Sequence, residues 1–182
     1  MESAFKKMIE KISSYNIFNF ILPGAVFVYI SKELLHKNFL TNSWIENIVV
    51  CYFIGMILSR IGSLIIEPIL KKCRLKYAPY PDYIEASEND SKIPMLLETN
   101  NMYRTFIATF ISLIIYKGYL YLKHFLANKN TVFNEISIFV ILIVLTAIFI
   151  ASFVKQTGFI RKRVEAYKKR KEDSSQSSII TH

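Results

Sequence analysis

The amino-acid sequence predicts an all-α protein: an integral membrane four-helix bundle with an N-terminal amphipathic helix and a short helical cytoplasmic insertion. Three observations carry this. Residues 136–154 (ISIFVILIVLTAIFIASFV) are nineteen residues without a charge, close to the ~20 apolar residues needed to cross a hydrocarbon core of about 30 Å. Three further apolar runs precede that one. Lysine and arginine gather in three of the five segments outside the runs, seventeen against five. A chain that is 52% hydrophobic would also suit a soluble domain. The clustering decides against that, because a long apolar run is favoured in lipid, where a helix satisfies its own backbone amides.

Residues 1–14 place Phe5, Met8, Ile9 and Ile12 at helical spacing, with Lys6, Lys7, Glu10 and Lys11 on the other faces. This reads as an interfacial helix on the inner leaflet, set against a solvated extension of the first membrane helix. Charges of both signs, with no small-residue cleavage site after the first apolar run, argue against a secretory signal peptide.

The first membrane segment covers residues 15–30 and holds Pro23-Gly24, a pair expected to kink it. The second covers residues 45–70, with Trp44 as interfacial anchor. The third covers residues 105–122 and the fourth residues 136–154. Short loops join the first to the second and the third to the fourth. The chain then divides into an interfacial helix (1–14), a first transmembrane hairpin (15–70), a cytoplasmic connection (71–104), a second hairpin (105–154) and a basic tail (155–182) whose end is expected to be disordered. The basic segments are the N-terminus, the connection and the tail, which puts both termini in the cytoplasm of a bacterial inner membrane. An odd number of crossings would split these segments between the two sides.

Residues 73–104 are too long for a simple turn. Tyr77, Tyr80 and Tyr83 with Pro79 and Pro81 suggest order, and Asp90 or Ser91 would cap a helix that begins near Lys92 and runs into the third span. Asp82, Glu85, Glu88 and Asp90 make this stretch acidic, so it would suit a solvated surface, an internal salt bridge or a face toward the basic tail. In the tail, Ile160, Val164 and Tyr167 form an apolar stripe for lipid or a partner.

Arg60 is the most informative single residue. It lies seven residues before Glu67, about 10 Å inside the cytoplasmic boundary at ~1.5 Å per residue. An arginine at mid-helix costs about 2.5–3.5 kcal/mol on insertion scales. One reading makes it a pore, ligand or coupling site, and the other lets it snorkel to the headgroups. Glu67, Asn16, Asn19 and Thr109 join it as candidate buried polar residues, with Thr105 and Ser152 at similar depth. These would line a wet cavity or, as the simpler reading has it, hydrogen-bond between helices. Gly55, Ser59 and Ser63 repeat every four residues and Gly62 widens the small face, a helix-packing surface whose partner lies in the same chain or in another. Tyr83, Glu98, Asn101 and Arg104 are a candidate partner surface, the last three sharing one helix face.

No His/Cys spacing matches a metal site, no cofactor motif is present, and Cys51 and Cys73 read as free thiols. No carboxylate pair comes with a histidine, cysteine or nucleophile that would give it acid–base work.

Three stretches together carry a family resemblance: YNIFNFILPGAVF (15–27), FIGMILSRIGSLIIEPILKK (53–72) and DYIEASENDSKIPMLLETNNMYR (82–104). The chain resembles small four-pass bacterial membrane proteins, some of which belong to anti-phage defence loci. The resemblance implies a defence-associated membrane component and assigns no residue a role.

The expected function is a non-enzymatic inner-membrane component (sensor, anchor or membrane-perturbing effector) that assembles through helix packing. Its expected partners are anionic lipid headgroups at the basic tail, further copies of itself, a cytosolic protein, or a combination of these. Direct nucleic-acid binding is not expected. A small transporter or channel is the alternative, and a lipid-modifying membrane enzyme the second alternative.

Overall fold

The computed structural model describes residues 17–73, 75–126 and 133–180. The amphipathic helix expected over residues 1–14, and Asn16, lie outside the described residues. Five helices follow one another and the described chain is all-α. Helix α1 begins as a π-helical turn, Ile17–Ile21, and continues as Leu22–Leu35. Helix α2 is Trp44–Lys72, with a second π-helical turn at Gly62–Ile66. Helix α3 is Tyr80–Asn89, α4 is Lys92–Leu126 and α5 is Phe133–Ile180. Three of these, α2, α4 and α5, are long and apolar enough to cross a membrane, and α1 is a short helix beside them.

The two π turns share a cause. Each ends two residues before a proline, Pro23 in α1 and Pro68 in α2. Proline lacks an N–H and its ring crowds the carbonyl four residues back. A wider turn ahead of it relieves that crowding without ending the helix. In α2 the Glu67 N–H accordingly donates to the Gly62 carbonyl, five residues back.

Local signals fix the helix ends. The Ser43 hydroxyl accepts from the Glu46 N–H and starts α2. Helix α1 stops where His36 turns left-handed, at φ 52°. The loop between them is held by the Asn47 amide, whose Oδ1 accepts from the Thr41 N–H at 2.8 Å while Nδ2 donates to the Thr41 carbonyl at 3.1 Å. Asp90 caps α4, its Oδ1 accepting from the Lys92 N–H at 3.1 Å.

Helix α4 is the hub. Of its most apolar stretch 44% is buried, against 11% for α5. Phe106, Phe110, Leu113 and Leu142 form one core with Val26 and Phe27 of α1. Ile66 of α2 joins Ile107, Ala108 and Phe153 in a second. Between α4 and α5 the tilted rings of Phe106 and Phe149 lie with centroids 4.7 Å apart, and Phe110 and Tyr103 flank Phe149 at 5.5 and 5.9 Å. The opposite face of α5 turns Val140, Ile141, Val144 and Ile148 outward, as a lipid-facing helix does.

Helices α4 and α5 also outrun a bilayer. With 35 and 48 residues they extend for about 52 and 72 Å at ~1.5 Å per residue. Their excess at the basic end packs with α3 into a head. Ala86 of α3, Ile93 of α4, and Ile160 and Val164 of α5 form its core, with Tyr83 and Tyr167 against them. The apolar stripe of the tail is therefore covered within the chain. Helix α5 continues to Ile180, through most of the stretch expected to be disordered. Beyond Gly158 the sequence holds no glycine or proline to break it.

Candidate functional site

The structure brings its buried charges together where the span of α2 ends. Pro68 and the π turn before it set Glu67 on the face of α2 that meets α4. There Glu67 is paired with Arg104, the two side chains being 17% and 14% exposed. Lys71, one turn on, reaches the same carboxylate at 2.9 Å and lies over the Tyr77 ring at 4.8 Å. Two cations thus share one carboxylate, leaving a local excess of one positive charge. Gly62 makes room for this arrangement, since a Cβ there would stand 3.2 Å from both the Cγ and the carbonyl oxygen of Arg104. Burial pushes the Tyr77 phenol up to about 12, with the Glu67 carboxylate adding to the shift and Arg104 opposing it.

A second set of charges ties the head. The Arg163 guanidinium donates to both Asp90 oxygens, at 2.5 and 3.1 Å. This hydrogen bond is the main reason the Asp90 carboxyl is held below its usual range. Asp82 pairs with Lys168 at 3.2 Å, and Glu85 with Lys171. The acids stand three apart on α3 and the lysines three apart on α5, so each pair closes one turn after the other. The acidic stretch of the connection therefore faces the basic tail.

Arg60 lies elsewhere. It is exposed on the outside of the bundle, with Ile57 and Leu64 exposed before and after it along α2. It is not among the side chains that pair with Glu67. The small-residue face meets helices of the same chain. A Cβ on Gly55 would strike the Phe20 carbonyl of α1, and one on Gly24 would strike the Cys51 carbonyl of α2. Gly62 backs onto α4 instead, while Ser59 and Ser63 are half-buried beside these contacts.

Among the described residues, most of the other expected polar groups are bonded within their own helices. Asn19 is buried at the start of α1. Thr105 and Thr109 are buried, and their hydroxyls donate to carbonyls one turn back in α4, at 2.9 Å each. Ser152 does the same within α5. Of the expected partner surface only Glu98 is exposed; Tyr83 packs into the head, Arg104 turns inward, and Asn101 is half-buried. The sequence reading missed Asn100 and Thr157, which are buried and hydrogen-bonded to each other at 2.9 Å across α4 and α5. Both cysteines are free, Cys51 buried and Cys73 exposed. No group of three His, Cys, Asp or Glu suited to a metal ion occurs among the described residues. No family model, curated protein or solved structure matches this chain.

Proposed function

We propose that the chain is a non-enzymatic membrane component that couples its bilayer helices to a cytosolic protein through the head, with the basic end in the cytoplasm and α1 as a fourth crossing. One observation carries this reading: α4 and α5 run unbroken from apolar spans into the ion-paired head. A displacement of the head is then transmitted to the spans along two continuous helices. The charge count of the sequence supports the orientation. Among the described residues, Arg60 lies on the outside and Thr105 and Thr109 bond to their own helix, which gives the channel reading less support. A role in anti-phage defence is part of the same proposal and is supported by the sequence resemblance alone. Purification of the tagged chain from its native operon in mild detergent tests the reading. A soluble protein is expected at fixed stoichiometry, and it is expected to be lost when Asp90→Arg disrupts the head. Recovery of the chain with no soluble protein would refute the coupling.

A further inference from the structure

A cavity of about 410 Å3 opens between the end of α2, the link to α3 and the junction of α4 with α5. Lys71, Tyr77, Tyr80, Leu97, Asn100 and Ile160 are among its lining residues. Its size suits a small ligand or headgroup. Its depth is that of the bilayer surface, because the apolar run of α2 ends at Glu67 and the lysines after it.

The lining specifies a chemistry. Lys71 is half-exposed and belongs to the cluster with one excess positive charge. The Tyr77 hydroxyl stays protonated at any physiological pH, so it remains a donor. These two groups suit an anionic phosphate. Asn100 supplies the opposite character. The Thr157 hydroxyl donates to the Phe153 carbonyl at 2.9 Å, so its oxygen accepts from Asn100 Nδ2. That fixes the amide's orientation. Asn100 Oδ1 then remains an acceptor with no hydrogen-bond partner on a residue only 2% exposed. A buried acceptor without a donor costs about 1–3 kcal/mol, and a ligand O–H or N–H that reaches it removes that penalty. Leu97, Ile160 and the tyrosine rings give the rest of the wall an apolar character suited to the start of an acyl chain.

We propose that this cavity binds a phosphate ester of a donor-bearing alcohol, ethanolamine or glycerol, supplied as a phospholipid headgroup by the leaflet on the head side. The phosphate lies against Lys71 and Tyr77, and the headgroup's ammonium or hydroxyl approaches Asn100. The site depends neither on a cytosolic partner nor on which side of the membrane the head occupies.

The test uses the full chain in phosphatidylcholine nanodiscs, titrated with phosphatidylethanolamine or phosphatidylglycerol and read by native mass spectrometry and thermal unfolding. Phosphatidylcholine carries the same phosphate and chains with no headgroup donor. One ethanolamine or glycerol lipid is expected to be retained per chain, at least about tenfold more tightly than phosphatidylcholine. Lys71→Gln and Tyr77→Phe are expected to lower retention of that lipid severalfold while the chain stays folded, because they remove the phosphate's partners. Equal retention of all three lipids, unchanged in both variants, would mean an unselective lipid shell and overturn the proposal. Binding of soluble phosphoethanolamine that added lipid does not displace would overturn the lipid source. Asn100→Leu is read alongside, and retained selectivity in that variant would overturn the role given to the amide.

Discussion

Gly55→Ala probes the close crossing of α1 and α2. The change adds one methyl group where α1 and α2 touch backbone to backbone. A Cβ on Gly55 would lie 2.9 Å from Phe20 Cα and closer still to the Phe20 carbonyl, and one on Gly24 would lie 2.8 Å from the Cys51 carbonyl carbon. Carbon atoms rest at about 3.5–4.0 Å, and the Phe20 carbonyl oxygen would stand far inside contact distance of the new Cβ, so the helices must part by more than ~1 Å. Overpacking of this kind costs about 1–3 kcal/mol, and here the obstacle is backbone that cannot rotate away. Gly118→Ala and Gly158→Ala are internal controls. Both glycines are helical and would have nothing within 4 Å of an added methyl, so alanine there is expected to stabilise by about 0.5–1 kcal/mol through helix propensity alone. Denaturant unfolding of the purified chain in mild detergent reads all three. Gly24→Ala combined with Gly55→Ala should cost less than the sum of the two, because one separation of the helices admits both methyls. A Gly55→Ala variant as stable as Gly118→Ala would refute the close crossing.

Glu67→Gln and Arg104→Met should each destabilise, and a double-mutant cycle in the same unfolding assay should give a coupling of about 1–3 kcal/mol. A coupling near zero would mean that the two groups do not share a buried contact. Arg60→Leu should leave the unfolding midpoint unchanged or raise it, since the side chain is exposed and partners no core residue; a fall would place Arg60 in a contact. Asp90 gives a pH signature. Its folded pKa is depressed by Arg163, so the stabilisation is present above the unfolded value of about 3.9 and is lost as pH falls through the lower folded value. Acid unfolding curves of the wild type and Asp90→Asn should therefore converge below about pH 4; a constant gap down to the acid limit would contradict the pairing.

Hydropathy and charge counting locate α2, α4 and α5 because run length is a property of sequence alone. The Asp90 cap and the Ile160/Val164/Tyr167 stripe are legible for the same reason, being local spacings. Depth can also be counted, but azimuth cannot. Arg60 and Glu67 lie two turns apart on one helix, yet the π turn before Pro68 inserts a residue between them and turns Glu67 toward α4. The Glu67–Arg104 pair joins residues 37 apart in sequence, a separation that no helical periodicity reaches. Gly24 reads as part of a kink, and its role opposite Gly55 emerges only when two helices are laid together. The one sequence signal for the π turns is the spacing itself, an apolar turn ending two residues before a mid-helix proline. In the tail, polar composition suggests disorder, whereas the absence of glycine and proline after Gly158 allows α5 to continue.

Thiol accessibility in intact cells tests the central claim, a multi-pass bundle whose basic end and head share one side, most directly. Cys73 is exposed at the head end of α2 and serves as a native probe, and Asn38→Cys adds one in the loop between α1 and α2. A membrane-impermeant thiol reagent should label position 38 at once and Cys73 only after the cells are opened, with an N-terminal tag protected from external protease. Labelling of both positions from the same side would contradict the crossing of α2, and an accessible N-terminal tag would remove α1 from the membrane-spanning set.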